Sequence, residues 1–146
     1  MTYRLHASLG YRLSLAARVQ ERRLEEGLRT LGLTRTTWCI LLAVGNERLT
    51  QPSEIAEFVG IDRTATSRAL RSMEAGGLIS RGAGNGDGRT TAVRLTDLGL
   101  RRLAEGTPMA LDNNRIMYER LSTGEREELL RLLSMLTEGE ALLNTF

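Results

Sequence analysis

The sequence has little of what disulfides, metal centres and membrane spans require. It contains one cysteine, Cys39, and one histidine, His6, among 146 residues. One cysteine cannot form an internal disulfide, which agrees with a reducing compartment, and one Cys with one His is too few for a zinc cluster. The longest apolar run, Trp38 to Val44, is far shorter than the ~20 residues that cross a bilayer. Because the first residues also lack the apolar core of a signal peptide, we expect a cytoplasmic protein.

Residue patterns of the common enzyme classes are also missing from the sequence. The histidine has no serine or cysteine and acid at a spacing that supports a catalytic triad. The glycine-rich segment from Gly82 to Arg89 contains neither a dinucleotide-binding fingerprint nor a phosphate-binding loop, and we interpret its glycines as turn residues. We therefore expect a protein that is not an enzyme, without catalytic residues, cofactor or metal ion.

Charge is unevenly distributed along the chain. The formal net charge is only +2, but residues 63–102 carry eight arginines and three acids, whereas residues 103–146 carry four arginines and eight acids. The first 62 residues are nearly neutral, with eight arginines and seven acids. A basic middle beside an acidic tail predicts a polyanion-binding module held on a separate scaffold. Chance clustering is the alternative that charge alone leaves open.

Two helices are predicted before residue 50. Apolar residues recur at steps of three and four from Leu5 to Leu31, which indicates a long amphipathic helix, and Gly32 is placed to end it. Thr34 can cap a second helix from Arg35 to about Gly45. Because this second helix is apolar nearly all round, we expect it to be buried.

Two short helices with a tight join follow. Pro52–Val59 is predicted as a helix that Gly60 ends, and Asp62 caps the next helix, Arg63 to about Ala75. The join of about three residues is the helix-turn-helix spacing. The second helix has two faces: Thr66, Ala69, Leu70 and Met73 share one, while Thr64, Ser67, Arg68 and Arg71 share the other. The first face is predicted to pack and the second to bind a partner.

A β-hairpin is predicted after the helix-turn-helix. Leu78–Arg81 and Thr91–Leu95 have the composition of short strands, and the glycine-rich loop Gly82–Arg89 joins them. A hairpin in this position forms a wing, close enough to the preceding helix to contact an adjacent groove or phosphate of DNA.

Two further helices complete the chain. One begins at Thr96, and Pro108 is expected to kink or interrupt it. Ser122 and Glu125 form a capping box for the last helix, whose many leucines offer more apolar surface than a small core needs. We infer that part of this surface contacts a second subunit.

In their order and spacing these segments resemble the MarR family of bacterial transcriptional regulators. The similarity runs from about Leu24 to Leu136 and is strongest from Pro52 to Arg81. The wing sequence Asp87-Gly-Arg89 and the later Arg94-Leu-Thr-Asp-Leu-Gly99 are also similar to the family's pattern.

The resemblance implies a mainly α fold with a small β-hairpin wing. Within a single domain, residues 1–146, it implies a winged helix-turn-helix lobe over about 34–100 and a helical dimerisation arm over about 1–31 and 109–146. It further implies a homodimer whose two lobes enter successive major grooves of a pseudo-palindromic operator in double-stranded DNA. The expected function is therefore a sequence-specific transcriptional regulator, a ligand-responsive repressor.

Three residues receive roles from the resemblance. Arg68 matches the arginine of the recognition helix, Arg89 matches the wing-tip arginine that enters the minor groove, and Asp87 matches the acid that steadies the wing. An arginine on the outer face of such a helix can donate two hydrogen bonds to one guanine, so Arg68 is our candidate for reading a base. Gly88 departs from the polar residue that is frequent at its position in the family.

The remaining candidates on the recognition helix follow from its chemistry. Thr64 and Ser67 lie near the helix N-terminus, where hydroxyl groups and the helix dipole favour a phosphate or a base edge. Arg63 and Arg71 are predicted to bind phosphates. The alternative for the whole set is a solvated helix face.

A small effector is also implied by the resemblance, aromatic or anionic and bound between arm and lobe. The candidates by position are Tyr11, Arg12, Trp38 and Met109. Cys39 is predicted to be a buried small hydrophobe, with redox sensing as its alternative, because the sensing cysteine of family members usually lies in the first helix and this first helix has none. A different class of function stays open: a redox- or ligand-sensing protein-interaction module with weak DNA contact.

Overall fold

Helices and one β-hairpin form the fold, for which a computed structural model describes residues 1–83 and 91–140. In chain order the elements are α1 (Leu9–Arg29), α2 (Arg35–Gly45), α3 (Pro52–Val59), α4 (Arg63–Ala75), β1 (Ile79–Ala83), β2 (Thr91–Leu95), α5 (Asp97–Tyr118) and α6 (Thr123–Thr137). The expected mainly α fold with a two-stranded antiparallel wing is confirmed. Within the described ranges, no helix has both the length and the apolar character needed to cross a membrane.

Side-chain caps start the helices at the predicted places. The Thr34 hydroxyl accepts from the Thr37 N–H, and the Asp62 carboxylate accepts from the Ala65 N–H at 2.7 Å. Each cap satisfies an N–H group that has no partner inside the helix, and it thereby fixes the first residue of α2 and of α4. Gly60 ends α3 with a left-handed φ of 78°, a conformation that glycine adopts without strain. The predicted bounds of α2, α3 and α4 are confirmed.

The first helix begins later than the sequence pattern predicts. Residues Leu5–Ala7 form a short 3-10 turn, and α1 starts at Leu9. The reason is Ser8, whose Oγ accepts from the Tyr11 N–H at 3.3 Å. Ser8 is therefore the N-cap of α1, and the helix starts at Leu9, four residues after Leu5. The apolar periodicity continues through the cap, which is why periodicity alone placed the start too early.

The hairpin is longer than predicted. Ile79 pairs with Leu95 at one end, and the pairing continues through Gly82 opposite Ala92 to Ala83 opposite Thr91. Gly82 was assigned to the loop, and it lies in β1. Two small residues can pair at this position because the ladder uses backbone groups and does not depend on the side chains.

Pro108 does not interrupt α5, so the interruption expected as one of its two possible effects does not occur. The helix is continuous from Asp97 to Tyr118, although proline has no N–H to donate to the carbonyl four residues earlier. Close packing lies on both sides of the proline: Gly106 contacts the ring of Trp38, and Met109 contacts Gly27. We attribute the continuity of α5 to these contacts with α2 and α1, because they hold the backbone where one hydrogen bond is lost.

The hydrophobic core lies in the lobe around α2. Ile40, Leu41 and Ala43 are fully buried there, and Leu70 of α4 and Val93 of β2 pack in the same cluster. Backbone bonds join the hairpin to this cluster, since the Val93 N–H donates to the Thr50 carbonyl at 2.8 Å. The arm is different: α1 buries Leu24 and Leu28, and α6 has no buried residue.

Candidate nucleic-acid interface

The register of α4 decides which of its side chains face outward. Thr66, Leu70 and Met73 are buried against the core, and the Thr66 hydroxyl donates to the Asp62 carbonyl at 2.8 Å. The three positions are separated by steps of four and three residues, so they form one stripe on the helix. This stripe fixes the opposite side of α4 toward solvent.

The opposite side of α4 carries four of the predicted DNA-binding residues, and all four are exposed: Thr64, Ser67, Arg68 and Arg71. Arg63 is exposed as well, but it lies seven residues before Leu70, beside the buried stripe. From Thr64 to Arg71 this outer face is about 10 Å long, and a major groove about 12 Å wide admits a helix of this kind. The structure therefore presents hydroxyl and guanidinium groups together on a surface that its own described residues leave uncovered.

A groove of about 380 Å³ lies beside the outer face of α4. It is bounded by the start of α3, by α4 and by the hairpin, through Gln51, Pro52, Ser53, Arg63, Thr66, Ser67, Leu70, Arg81 and Thr91. Two guanidinium groups and several hydroxyls line it, and none of its lining residues within the described ranges is an acid. Such a surface favours an anion, and the phosphate backbone of DNA is a polymeric one.

Arg81 is a member of this surface that sequence reasoning missed. It lies on β1, and its Nη2 donates to a carboxylate oxygen of Glu74 at 3.1 Å. The pair links the end of α4 to the hairpin and holds the Arg81 guanidinium beside the groove. Its basic character was visible in the sequence, but the contact with α4 depends on how the hairpin folds back.

Two predicted residues of the wing lie outside the described part of the chain. They are Asp87 and Arg89, within residues 84–90. They lie between the end of β1 at Ala83 and the start of β2 at Thr91.

The four proposed effector residues lie in two places. Trp38 is 3% exposed, with its ring against Gly106, and Met109 lies nearby against Gly27. Tyr11 and Arg12 lie at the start of α1, where the Arg12 Nε donates to the His6 carbonyl at 2.7 Å. Tyr11 precedes Gly27 by sixteen residues of one helix, a separation of about 24 Å. One chain therefore does not bring the four residues together.

Cys39 is partly exposed, which corrects the expectation of a fully buried side chain. It lies on α2 between the buried residues Trp38 and Ile40, on the side of the helix that the core covers least. Burial raises the pKa of its thiol, and the positive charge of Arg35 lowers it by a smaller amount. Within residues 1–83 and 91–140, no group of three or more His, Cys, Asp and Glu side chains is arranged to hold a metal ion.

Comparison with known proteins identifies this arrangement. The model of the MarR family matches residues 31–90, a segment that includes α2, α3, α4 and β1 and ends before β2. Over this segment the chain is similar to the MarR family. The HTH-type transcriptional regulator YdgJ of Bacillus subtilis (strain 168), itself uncharacterised, is 34% identical over 84 residues, or 58% of this chain. The chain spans about half of that relative, 49% of its length.

Two solved structures share the fold of this chain. A mutant MarR from E. coli in complex with operator DNA superposes with a TM-score of 0.81 at 22% identity, covering 88% of this chain and 92% of that one. BpsR of Bordetella bronchiseptica, whose DNA binding is regulated by 6-hydroxynicotinic acid, superposes with a TM-score of 0.87 at 18% identity. That match covers 96% of this chain and all (100%) of that chain. At these identities the likeness is one of fold.

Proposed function

We propose that this chain is a sequence-specific transcriptional regulator that binds double-stranded DNA as a homodimer at a pseudo-palindromic operator. The observation that carries the proposal is the division of α4 into a buried stripe and an outer face of arginine, threonine and serine side chains. A rigid helix that presents such groups can donate hydrogen bonds to phosphates and to base edges in a major groove. The resemblance to an operator-bound MarR structure supports the same docking.

The groove beside α4 supports contacts to the DNA backbone. Arg63 and Arg81 line it from two different elements, so a phosphate placed there would meet two guanidinium groups, of which that of Arg81 also pairs with Glu74. Arg89 of the wing is proposed to enter the minor groove, with Asp87 steadying it. Backbone contacts orient the protein on the duplex, and the outer face of α4 then meets the bases.

A homodimer is supported by the apolar surface of the arm. Leu130, Met135 and Leu136 of α6 are each at least 50% exposed, and α1 exposes Leu9 at 61%. Exposed apolar patches of this kind mark contact surfaces. A second copy of the chain would cover them and place two α4 helices on one duplex, as a two-fold operator requires.

The proposal includes regulation by a small aromatic or anionic molecule. We propose its site at the joint of α2 and α5, where Trp38 and Met109 lie, because movement there would change the position of the lobe relative to the arm. Tyr11 and Arg12 would belong to such a site only if a second subunit supplies them. The proposed output is repression, in the cytoplasm, through an operator that overlaps a promoter.

The proposal is tested by measuring binding to the promoter region next to the protein's own gene and to a scrambled duplex of the same length. Wild-type protein should prefer the promoter duplex. Arg68→Ala should reduce binding to that duplex by about 1 to 3 kcal/mol and change binding to the scrambled duplex less, because a base contact is lost. Arg71→Ala should weaken both, because a phosphate contact does not depend on sequence.

Arg29→Ala provides the matched control, since it removes the same charge from the exposed surface of the arm. It should leave the preference for the promoter duplex unchanged. If wild-type protein binds both duplexes equally weakly, the chain is better described as a protein-interaction module. If Arg68→Ala weakens both duplexes by the same factor, Arg68 does not read a base.

A further inference from the structure

A buried asparagine lies between α5 and α1. Asn113 is 2% exposed, and its Nδ2 donates to the backbone carbonyl of Gln20 at 3.1 Å. Its Oδ1 is also buried and has no hydrogen-bond partner among the described residues. Thr66 is the other buried polar side chain of the described ranges, and it bonds within its own helix. Asn113 is therefore a buried polar link between two elements.

Such a link does not favour stability. A buried amide that makes only part of its hydrogen bonds loses more solvation by water than it regains from protein contacts. A leucine of similar volume at this position would contribute apolar burial instead. Buried polar groups that cost stability are best known for fixing one alignment of packed helices over others.

The other contacts between α1 and α5 are weakly selective. Leu24 and Leu28 bury apolar surface on this side of α1, and Met109 lies with its sulfur against Gly27. Apolar contacts are not directional, and the flexible methionine side chain adapts to small displacements. The hydrogen bond of Asn113 differs, because it forms only when Asn113 faces Gln20.

The opposite half of α5 is held firmly on the lobe. Gly99 lies against the backbone carbonyl of Leu78, so closely that a Cβ would overlap with it. Farther along, a Cβ added at Gly106 would lie 2.5 Å from Cζ3 of Trp38. These contacts fix α5 relative to α2 and the hairpin. The position of α1 on α5 then determines where the arm stands relative to the recognition helix.

We propose that Asn113 is a positioning residue, which fixes the register of α1 on α5 and thereby the separation of the two recognition helices in the dimer. The inference rests on the proposed function, since it concerns a homodimer on two half-sites. Half-site spacing is a geometric property of such a dimer, because both helices must meet the same face of the duplex. A loosened register would leave each lobe intact and relax the spacing that the dimer accepts.

The experiment uses the full-length chain with two substitutions that change stability in opposite directions. Asn113→Leu should raise the urea concentration at the unfolding midpoint, and Asn113→Ala should lower it, because alanine leaves a cavity. The readout is the spacing ratio, the Kd for an operator with one inserted base pair divided by the Kd for the native operator. Wild-type protein should show a ratio of at least about tenfold, and both variants a ratio below about threefold.

Asn114→Leu is the matched control, because Asn114 is the exposed neighbour of Asn113 on the same helix. It should keep the wild-type ratio, and binding to an isolated half-site should stay within about twofold for every variant. The inference is overturned if both Asn113 variants keep the wild-type ratio, or if the ratio rises and falls with stability. A wild-type protein that does not distinguish the operator from a scrambled duplex would overturn the proposed function itself.

Discussion

Individual side chains on α4 have roles that depend on register more than on residue type. Thr64 and Thr66 are chemically identical and two positions apart. Thr66 is buried, and its hydroxyl donates a hydrogen bond to the Asp62 carbonyl, whereas Thr64 is exposed. A buried hydroxyl with a local partner contributes to the fold, and an exposed one is available to a ligand. Only the position relative to Leu70 and Met73 distinguishes them.

Cys39 is expected to be a slowly reacting thiol. Burial raises its pKa, so the thiolate that attacks alkylating agents is less populated near neutral pH than in a free thiol. The rate of alkylation by iodoacetamide should therefore rise with pH to a midpoint above that of glutathione, and in urea the two midpoints should agree. Because the folded state holds this proton more tightly, unfolding should become easier as pH rises from the unfolded to the folded pKa. A midpoint below that of glutathione would instead indicate an activated cysteine, as redox sensing requires.

At the scale of elements, α5 is the helix that connects the lobe to the arm. Along its length it contacts the hairpin at Gly99, α2 at Gly106 and α1 at Met109 and Asn113. Glycine in the middle of a helix normally lowers stability. Here the absence of a side chain lets neighbouring groups approach the α5 backbone closely.

Substitution of Gly106 tests this packing. Gly106→Ala places a Cβ 2.5 Å from the Trp38 ring, so either the indole or the helix must shift. The overlap should cost about 1 to 3 kcal/mol in the free energy of unfolding, and helix propensity should return ~1 kcal/mol, so we expect a net loss of up to about 2 kcal/mol. Urea denaturation followed by circular dichroism measures the difference.

Gly10→Ala is the control for helix propensity alone. A Cβ at Gly10 would meet no atom within 4 Å, so this variant should be as stable as wild type or slightly more so. Equal stabilities for Gly106→Ala and Gly10→Ala would mean that the indole moves aside without cost.

Much of this element structure was predictable from the sequence, because it depends on local signals. The caps at Thr34, Asp62 and Ser122 fixed three helix starts, and the three- and four-residue steps of α4 assigned its two faces. Arg81 could not be assigned to the interface from the sequence, because its position beside α4 depends on how the hairpin packs against that helix. The continuity of α5 at Pro108 depends on tertiary contacts, which outweigh the local preference of proline.

At the scale of the whole molecule, contacts within one chain do not account for the stability of the last helix, α6. α6 has fifteen residues and none of them is buried. An isolated helix of this length is only marginally stable in water, and most helices in proteins are stabilised by packing of an apolar face. The exposed leucines of α6, among them Leu129 and Leu133, therefore predict a partner surface.

A charge placed on this surface should separate the subunits. We expect wild-type protein to sediment with twice the chain mass of 16.2 kDa and Leu133→Glu to sediment as a single chain at micromolar concentration. Operator affinity should fall with it, because one lobe then binds one half-site. Analytical ultracentrifugation and binding to the promoter duplex measure the two effects.

Leu100→Glu is the control for the dimer experiment, since Leu100 is an exposed leucine on α5 at 53% exposure. It adds the same charge near the lobe end of that helix and should keep the mass of the dimer. A wild-type protein that sediments as one chain would contradict the dimer directly.

The packing of Trp38 on Gly106 also gives the protein an optical signal of its own. The sequence has one tryptophan, and its indole is 3% exposed at the joint of α2 and α5. Tryptophan emission therefore reports on this joint alone, without an attached dye. An anion that opens the joint would admit water to the indole and shift its emission maximum to longer wavelength. A molecule bound elsewhere would leave the wavelength of the emission maximum unchanged.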